Sequence, residues 1–175
     1  MQALQTMKIL WASISFSTLI VLFVGLKAAA SPDEPPPMVM LFALGFVSVG
    51  IAGASQFLPK QTLVAALKAQ NFQVAEPRAE ERMFNDAPRK GRKFREPAEV
   101  RKKLVMCAQT PFILGLALSE AIALMGFVLL MQGFALTHAL PFFVVSWLLL
   151  ASKFPRFESW QRVLEATYDA ELGLA

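Results

Sequence analysis

Four long apolar stretches constrain this chain more than any other feature. They lie at residues 9–26, 38–58, 111–131 and 134–152. Three hold no charged residue, and the third holds only Glu120. At 1.5 Å per residue, about 20 helical residues cross the roughly 30 Å of bilayer hydrocarbon. The stretches are too long for strands and do not alternate. Composition agrees: 55% of the 175 residues are hydrophobic and 17% are charged, against about 25% charged in an ordinary soluble domain. A soluble globular domain, a disordered tail and a disulfide scaffold are excluded. Four spanning helices are the expectation.

The charges sit elsewhere and set an orientation. Residues 60–103 carry 12 of the 17 Lys and Arg, and 6 of the 13 Asp and Glu. The loops at 28–37 and 132–138 carry no Lys or Arg. Lys8 precedes the first span, and Lys153, Arg156 and Arg162 follow the fourth. Bases concentrate on the cytoplasmic side, so both termini and the middle segment are expected there. Lys27 departs from this, but its long stem can snorkel to the headgroups. The expected fold is therefore an all-α, four-helix transmembrane bundle with N and C termini cytoplasmic. Its parts are a first hairpin (1–58), a basic cytoplasmic segment (59–103), a second hairpin (104–152) and a cytoplasmic amphipathic tail (153–175). A cleaved signal is the rival for the first stretch, because Ala28-Ala29-Ala30 follows it. Its 18 apolar residues exceed the usual h-region, which favours a retained span.

In the middle segment, residues 60–75 read as a weakly amphipathic helix that continues the second span past Pro59. Residues 76–97 read as a loop with three prolines and dense mixed charge. Arg89, Lys90, Arg92, Lys93 and Arg95 form a basic run, and Arg101, Lys102 and Lys103 follow close to the membrane. Such bases attract anionic lipid headgroups by about 1 kcal/mol each near the surface. Aromatic interleaving is thin and there is no Gly-rich phosphate loop, so no nucleic acid is expected. Pro97-Ala98-Glu99 is a good helix start. From it the pattern stays helical to Met131, giving an extended third helix. Pro111 would kink that helix or begin a new one. In the tail, Phe157, Trp160, Leu164 and Tyr168 recur at helical spacing. That face is expected at the inner membrane surface, on the basic segment or on a partner.

Glu120 is the most informative residue. It lies one position from the centre of 111–131. An ionised acid at that depth costs at least about 2.5–3.5 kcal/mol. It is therefore expected to face the bundle as a neutral acid that donates a hydrogen bond. No Lys or Arg lies at mid-depth in another span. Candidate partners at the same level are Ser17, Thr18 and Ser48, with Ser119 adjacent and Ser146 nearby. Gly115, Ser119, Ala123 and Gly126, and the pair Gly50 and Ala54, would permit close helix packing. A structural role for Glu120 competes with binding and release of a proton or cation.

The third span also carries a resemblance. LGLALSEAIALMGFVL (114–129) resembles the carboxylate helix of the c subunits, or proteolipids, of rotary F- and V-type ATPases. Gly115, Ala117 and Leu118 precede the acid, and Ala121, Ala123, Leu124, Gly126, Phe127 and Val128 follow it. The resemblance would make Glu120, with Ser119, a proton- or cation-binding site. The second span lacks the family's dense glycine run, the loop exceeds 40 residues, and a fourth span follows. The whole pattern also resembles bacterial four-span membrane proteins with such a helix, which implies a bacterial cytoplasmic membrane but no activity.

Catalytic and metal chemistry have little to draw on. His138 is the single histidine and Cys107 the single cysteine. They are expected on opposite sides of the membrane, as an interfacial ring and a small apolar residue. Glu80-Glu81 reads as a solvated pair. No cofactor, metal or enzymatic activity is expected. The leading reading is a structural or assembly component with a membrane-protein partner or as a homo-oligomer. The alternatives are a c-subunit-like carrier and a membrane-anchored basic adaptor.

Overall fold

The computed structural model describes residues 2–28, 36–70, 72–75 and 92–172. Five helices and two short strands follow one another: α1 (Gln2–Ala28), α2 (Met38–Ala69), β1 (Val74–Ala75), β2 (Lys93–Phe94), α3 (Pro97–Met131), α4 (Leu136–Ser152) and α5 (Phe157–Tyr168). Three helices, α1, α2 and α3, are long and apolar enough to cross a membrane; a fourth span is reached if α4 and α5 count together. α3 starts at Pro97 and runs unbroken through Pro111. The helix read over 60–75 is corrected: α2 ends at Ala69, and Val74 and Ala75 pair antiparallel with Phe94 and Lys93. That strand is made by a distant partner, so local periodicity did not show it.

The chain divides into two compact units. The first, Met1–Lys60 with Pro111–Pro155, holds α1, most of α2, the second part of α3, and α4. Its core gathers Ile122, Ala123, Leu129 and Leu130 of α3 with Ala139, Phe142 and Phe143 of α4. Its outer faces are strongly apolar: Phe46 is 82% exposed and Val39 78%, with Phe16, Phe23 and Phe42 alike. Monomers in water rarely tolerate apolar patches beyond a few hundred Å², and hydrocarbon covers such faces at no cost. The α3–α4 turn is a Schellman motif. Gly133 takes φ 82°, its N–H bonds to Leu130 O, and Phe134 N–H bonds to Leu129 O. At Gly126 an added Cβ would come within 2.9–3.1 Å of Phe143, Phe142 and the Ala139 carbonyl. The close approach of α3 and α4 therefore needs glycine there. Gly50, by contrast, faces open space.

One packing arrangement in this unit follows from a proline. Pro59 lies inside α2 and has no N–H, so the carbonyl four residues earlier, Ser55 O, has no helical donor. Lys153, just past α4, donates its Nζ to that carbonyl. Its stem passes Gly115, where a Cβ would meet Lys153 at 3.2 Å and Pro59 at 3.3 Å. Trp11 Nε1 donates to Leu150 O of α4 at 2.8 Å. The Trp11 ring meets Phe154 edge-on at 5.2 Å.

The second unit, Gln61–Thr110 with Arg156–Ala175, combines the end of α2, the strand pair, the start of α3, and α5. Leu63 and Leu67 of α2, and Val100, Leu104 and Ala108 of α3, are buried at four-residue spacing. Leu164, Ala170 and Leu172 of the tail join them. The tail thus docks onto the middle segment, one of the expected alternatives for its apolar face. Phe72, Phe94 and Tyr168 form an edge-to-face trio with centroids 5.5–6.2 Å apart. The Tyr168 hydroxyl lies 2.6 Å from Leu67 O and 2.7 Å from Gln70 O. It shares its one proton between these two carbonyls, which also accept from Gln70 N–H and Phe72 N–H. Burial raises the phenol's pKa, a hydrogen bond to the Phe72 backbone opposes the rise, and the Cys107 thiol adds to it. α5 ends on Asp169 in the left-handed region. The Glu165 carboxylate accepts from Gln161 and from Leu172 N–H, which holds the last turn.

Two outcomes are expected. Lys153→Met strands the Ser55 carbonyl and should lower stability in detergent by about 1–3 kcal/mol. Pro59→Ala returns the helical N–H, so the double variant should recover most of that loss; thermal unfolding of all four proteins checks it. Tyr168→Phe should cost about 1 kcal/mol. Because the folded-state phenol holds its proton more tightly, its contribution is complete below pH about 10, the unfolded value. It is lost as pH rises through the higher folded value. The Phe variant should lack that component of the alkaline loss, read by hydrogen exchange of residues 61–70.

Candidate functional site

The acid predicted to matter sits in α3, within the first unit. Glu120 is half-buried. Ser17 of α1 donates its hydroxyl to Glu120 Oε1 at 2.8 Å. The side chains are 103 residues apart in sequence and join two helices in the apolar part of the chain.

The other polar residues at this level are each satisfied elsewhere. Thr18 turns back to Ile14 O at 3.0 Å, a local bond within α1. Ser48 of α2 donates to Met125 Sδ of α3 at 3.0 Å. Ser119 is fully buried and bonds Gly115 O at 2.8 Å, so its hydroxyl does not reach the carboxyl of Glu120. Ser146 of α4 donates to Ser119 O at 2.7 Å. The expected polar layer thus resolves into separate bonds: α1–α3 through Ser17, α2–α3 through Ser48 and α4–α3 through Ser146. α3 is the common member.

Within the first unit, the bonds of Trp11 and Lys153 were not read from the sequence. Trp11 to Leu150 O gives no sequence signal. Lys153 to Ser55 O does: a proline inside an apolar helix leaves a carbonyl in need of a donor.

The basic residues fall in the second unit. Arg92 and Lys93 are exposed at β2, Arg95 is exposed and donates to Gln73 at 3.4 Å, and Lys102 and Lys103 are exposed on α3. Arg101 is half-buried. Lys103 pairs with Glu99 at 3.8 Å, an exposed pair that contributes little. Arg89, Lys90, Glu80 and Glu81 lie outside the described residues. Burial pushes the Cys107 thiol's pKa up, which disfavours the reactive thiolate. The His138 ring packs edge-on against Phe134 at 6.1 Å. Among the described residues, no group of three His, Cys, Asp or Glu could hold a metal.

Compared with protein-family models, curated proteins and solved structures, the chain matches none.

The Ser17–Glu120 bond has a measurable expectation. Ser17→Ala and Glu120→Leu should each weaken the α1–α3 pairing, with a coupling of about 0.6 kcal/mol in a double-mutant cycle. Glu120→Gln should be milder, since the amide still accepts from Ser17. Unfolding in mixed micelles reads all four corners of the cycle.

Proposed function

We propose that this protein is a non-enzymatic structural or assembly component of a membrane complex in a bacterial cytoplasmic membrane. Helices apolar enough to span are consistent with an integral membrane protein. The distribution of bases supports four spans with both termini and residues 59–103 in the cytoplasm. The observation that carries the reading is that Glu120, the one acid at mid-span, is engaged by Ser17 in a bond that joins two helices. Exposed Arg92, Lys93, Lys102 and Lys103 support contact with anionic headgroups on the cytoplasmic face.

A second reading, a c-subunit-like carrier of protons or cations, draws on one observation: Glu120 is half-buried rather than sealed. An acid at that depth that lipid or a neighbouring chain can approach suits exchange. The readings separate in one preparation. Purified in mild detergent, a structural component should bring a stoichiometric foreign partner. Its Glu120→Gln variant should assemble as the parent does. A carrier should instead form a large homo-ring whose Glu120 reacts with a hydrophobic carbodiimide in a pH-dependent way, and Glu120→Gln should abolish transport. A ring with a carbodiimide-reactive Glu120 and no partner would overturn the structural reading.

A further inference from the structure

The end of the first unit where Pro59 and Lys153 meet holds two cations without an acid. Lys153 is half-buried, and its Nζ donates to Ser55 O. Lys60, next to Pro59, is exposed, and its charge is close enough to act on that of Lys153. Residues 1–60 and 111–155 contain three acids, Asp33, Glu34 and Glu120. Glu120 is bonded to Ser17 at mid-span, and Asp33 and Glu34 lie outside the described residues. Among the described residues, no acid stands within ion-pair distance of either lysine.

An ammonium group has three donors, and Ser55 O uses one. That carbonyl is neutral, so the bond leaves the charge of Lys153 uncompensated. A partly desolvated charge is costly without a counter-charge, and a second cation beside it adds repulsion. An anion shared by the two lysines removes both penalties. The position of the ammonium is also set in advance. A Cβ on Gly115 would meet Lys153 Cδ at 3.2 Å and Pro59 Cγ at 3.3 Å, so the lysine stem is already packed there. An anion that binds it therefore orders less side chain than at a free surface lysine. Depth names the anion. Lys153 directly follows Ser152, the end of α4. Lys60 stands two residues past the apolar stretch 38–58, or about 3 Å of helix. Both lie at the rim of the hydrocarbon, and the layer next outward carries the lipid phosphates.

We propose that Lys60 and Lys153 together hold the phosphate of one anionic phospholipid, which accepts the N–H donors that Ser55 O leaves over. The site uses none of the exposed bases of the second unit. The inference rests on the chain's residence in a bilayer, not on its role there.

Native mass spectrometry in a neutral detergent tests it, with dioleoyl phosphatidylglycerol as the probe. One lipid should bind ahead of the rest. Lys60→Gln and Lys153→Gln should each weaken that first binding about fivefold, the loss of one base near the surface. Lys60 is exposed, so its variant should unfold in lipid-free detergent at the parent's temperature, and its weaker binding is then not a loss of fold. The double variant Lys102→Gln/Lys103→Gln removes two exposed charges from the second unit and should leave the first binding unchanged. Inorganic phosphate in excess should not displace the lipid. Parent-like binding by Lys60→Gln, an equal loss in the Lys102/Lys103 variant, or displacement by inorganic phosphate would each overturn the proposal. A parent protein that does not partition into membranes at all would instead sink the membrane reading beneath it, visible before any lipid is added.

Discussion

Hydrocarbon neither donates nor accepts hydrogen bonds, so polar groups in the apolar unit of this chain must be satisfied by the protein. Much of the unit follows from that constraint. Pro59 removes one donor from α2, and Lys153 supplies another to Ser55 O. Ser17 meets Glu120, and Ser146 meets the carbonyl of Ser119. Each bond crosses between helices. In a setting where apolar burial gives no preference for one helix neighbour over another, such bonds specify which faces meet. Gly126 and Gly115 then allow the surfaces to close, the first onto α4 and the second onto Lys153 and Pro59.

α3 is the element on which these bonds converge. Its residues from 111 onward present Ser119, Glu120 and Met125 to three other helices. Its earlier residues bury Val100, Leu104 and Ala108 within the second unit. One continuous helix therefore carries two different buried faces. The first is an amphipathic stripe suited to water, and the second a set of small and polar contacts suited to lipid.

The parts legible in the sequence are those set by local rules. Pro97 and Glu99 marked the start of α3, and the apolar runs marked the long helices. Depth along a span put Ser17 level with Glu120, and the two do meet. The same argument named Thr18 and Ser48, which bond elsewhere. Counting residues gives the level of a side chain in a membrane, but its partner depends on the rotation of each helix about its axis. Val74 and Ala75 were read as helix for a related reason. Their state is decided by Lys93 and Phe94, and nothing within a few residues announces that pairing. The Lys153 bond was legible in principle, since the donor missing at Pro59 had to be replaced from somewhere.

The second unit has an order of assembly written into it. Residues 61–110 leave the ribosome before the apolar residues 111–155, and Arg156 onward follow those. Yet the hydroxyl at the end of α2 comes from Tyr168, and Glu171 N–H supplies the donor for Arg92 O. During synthesis Phe72 and Phe94 therefore lack their third ring until Tyr168 has been made. Closure of the unit is in effect a late step, since its last residues follow α4 in the chain.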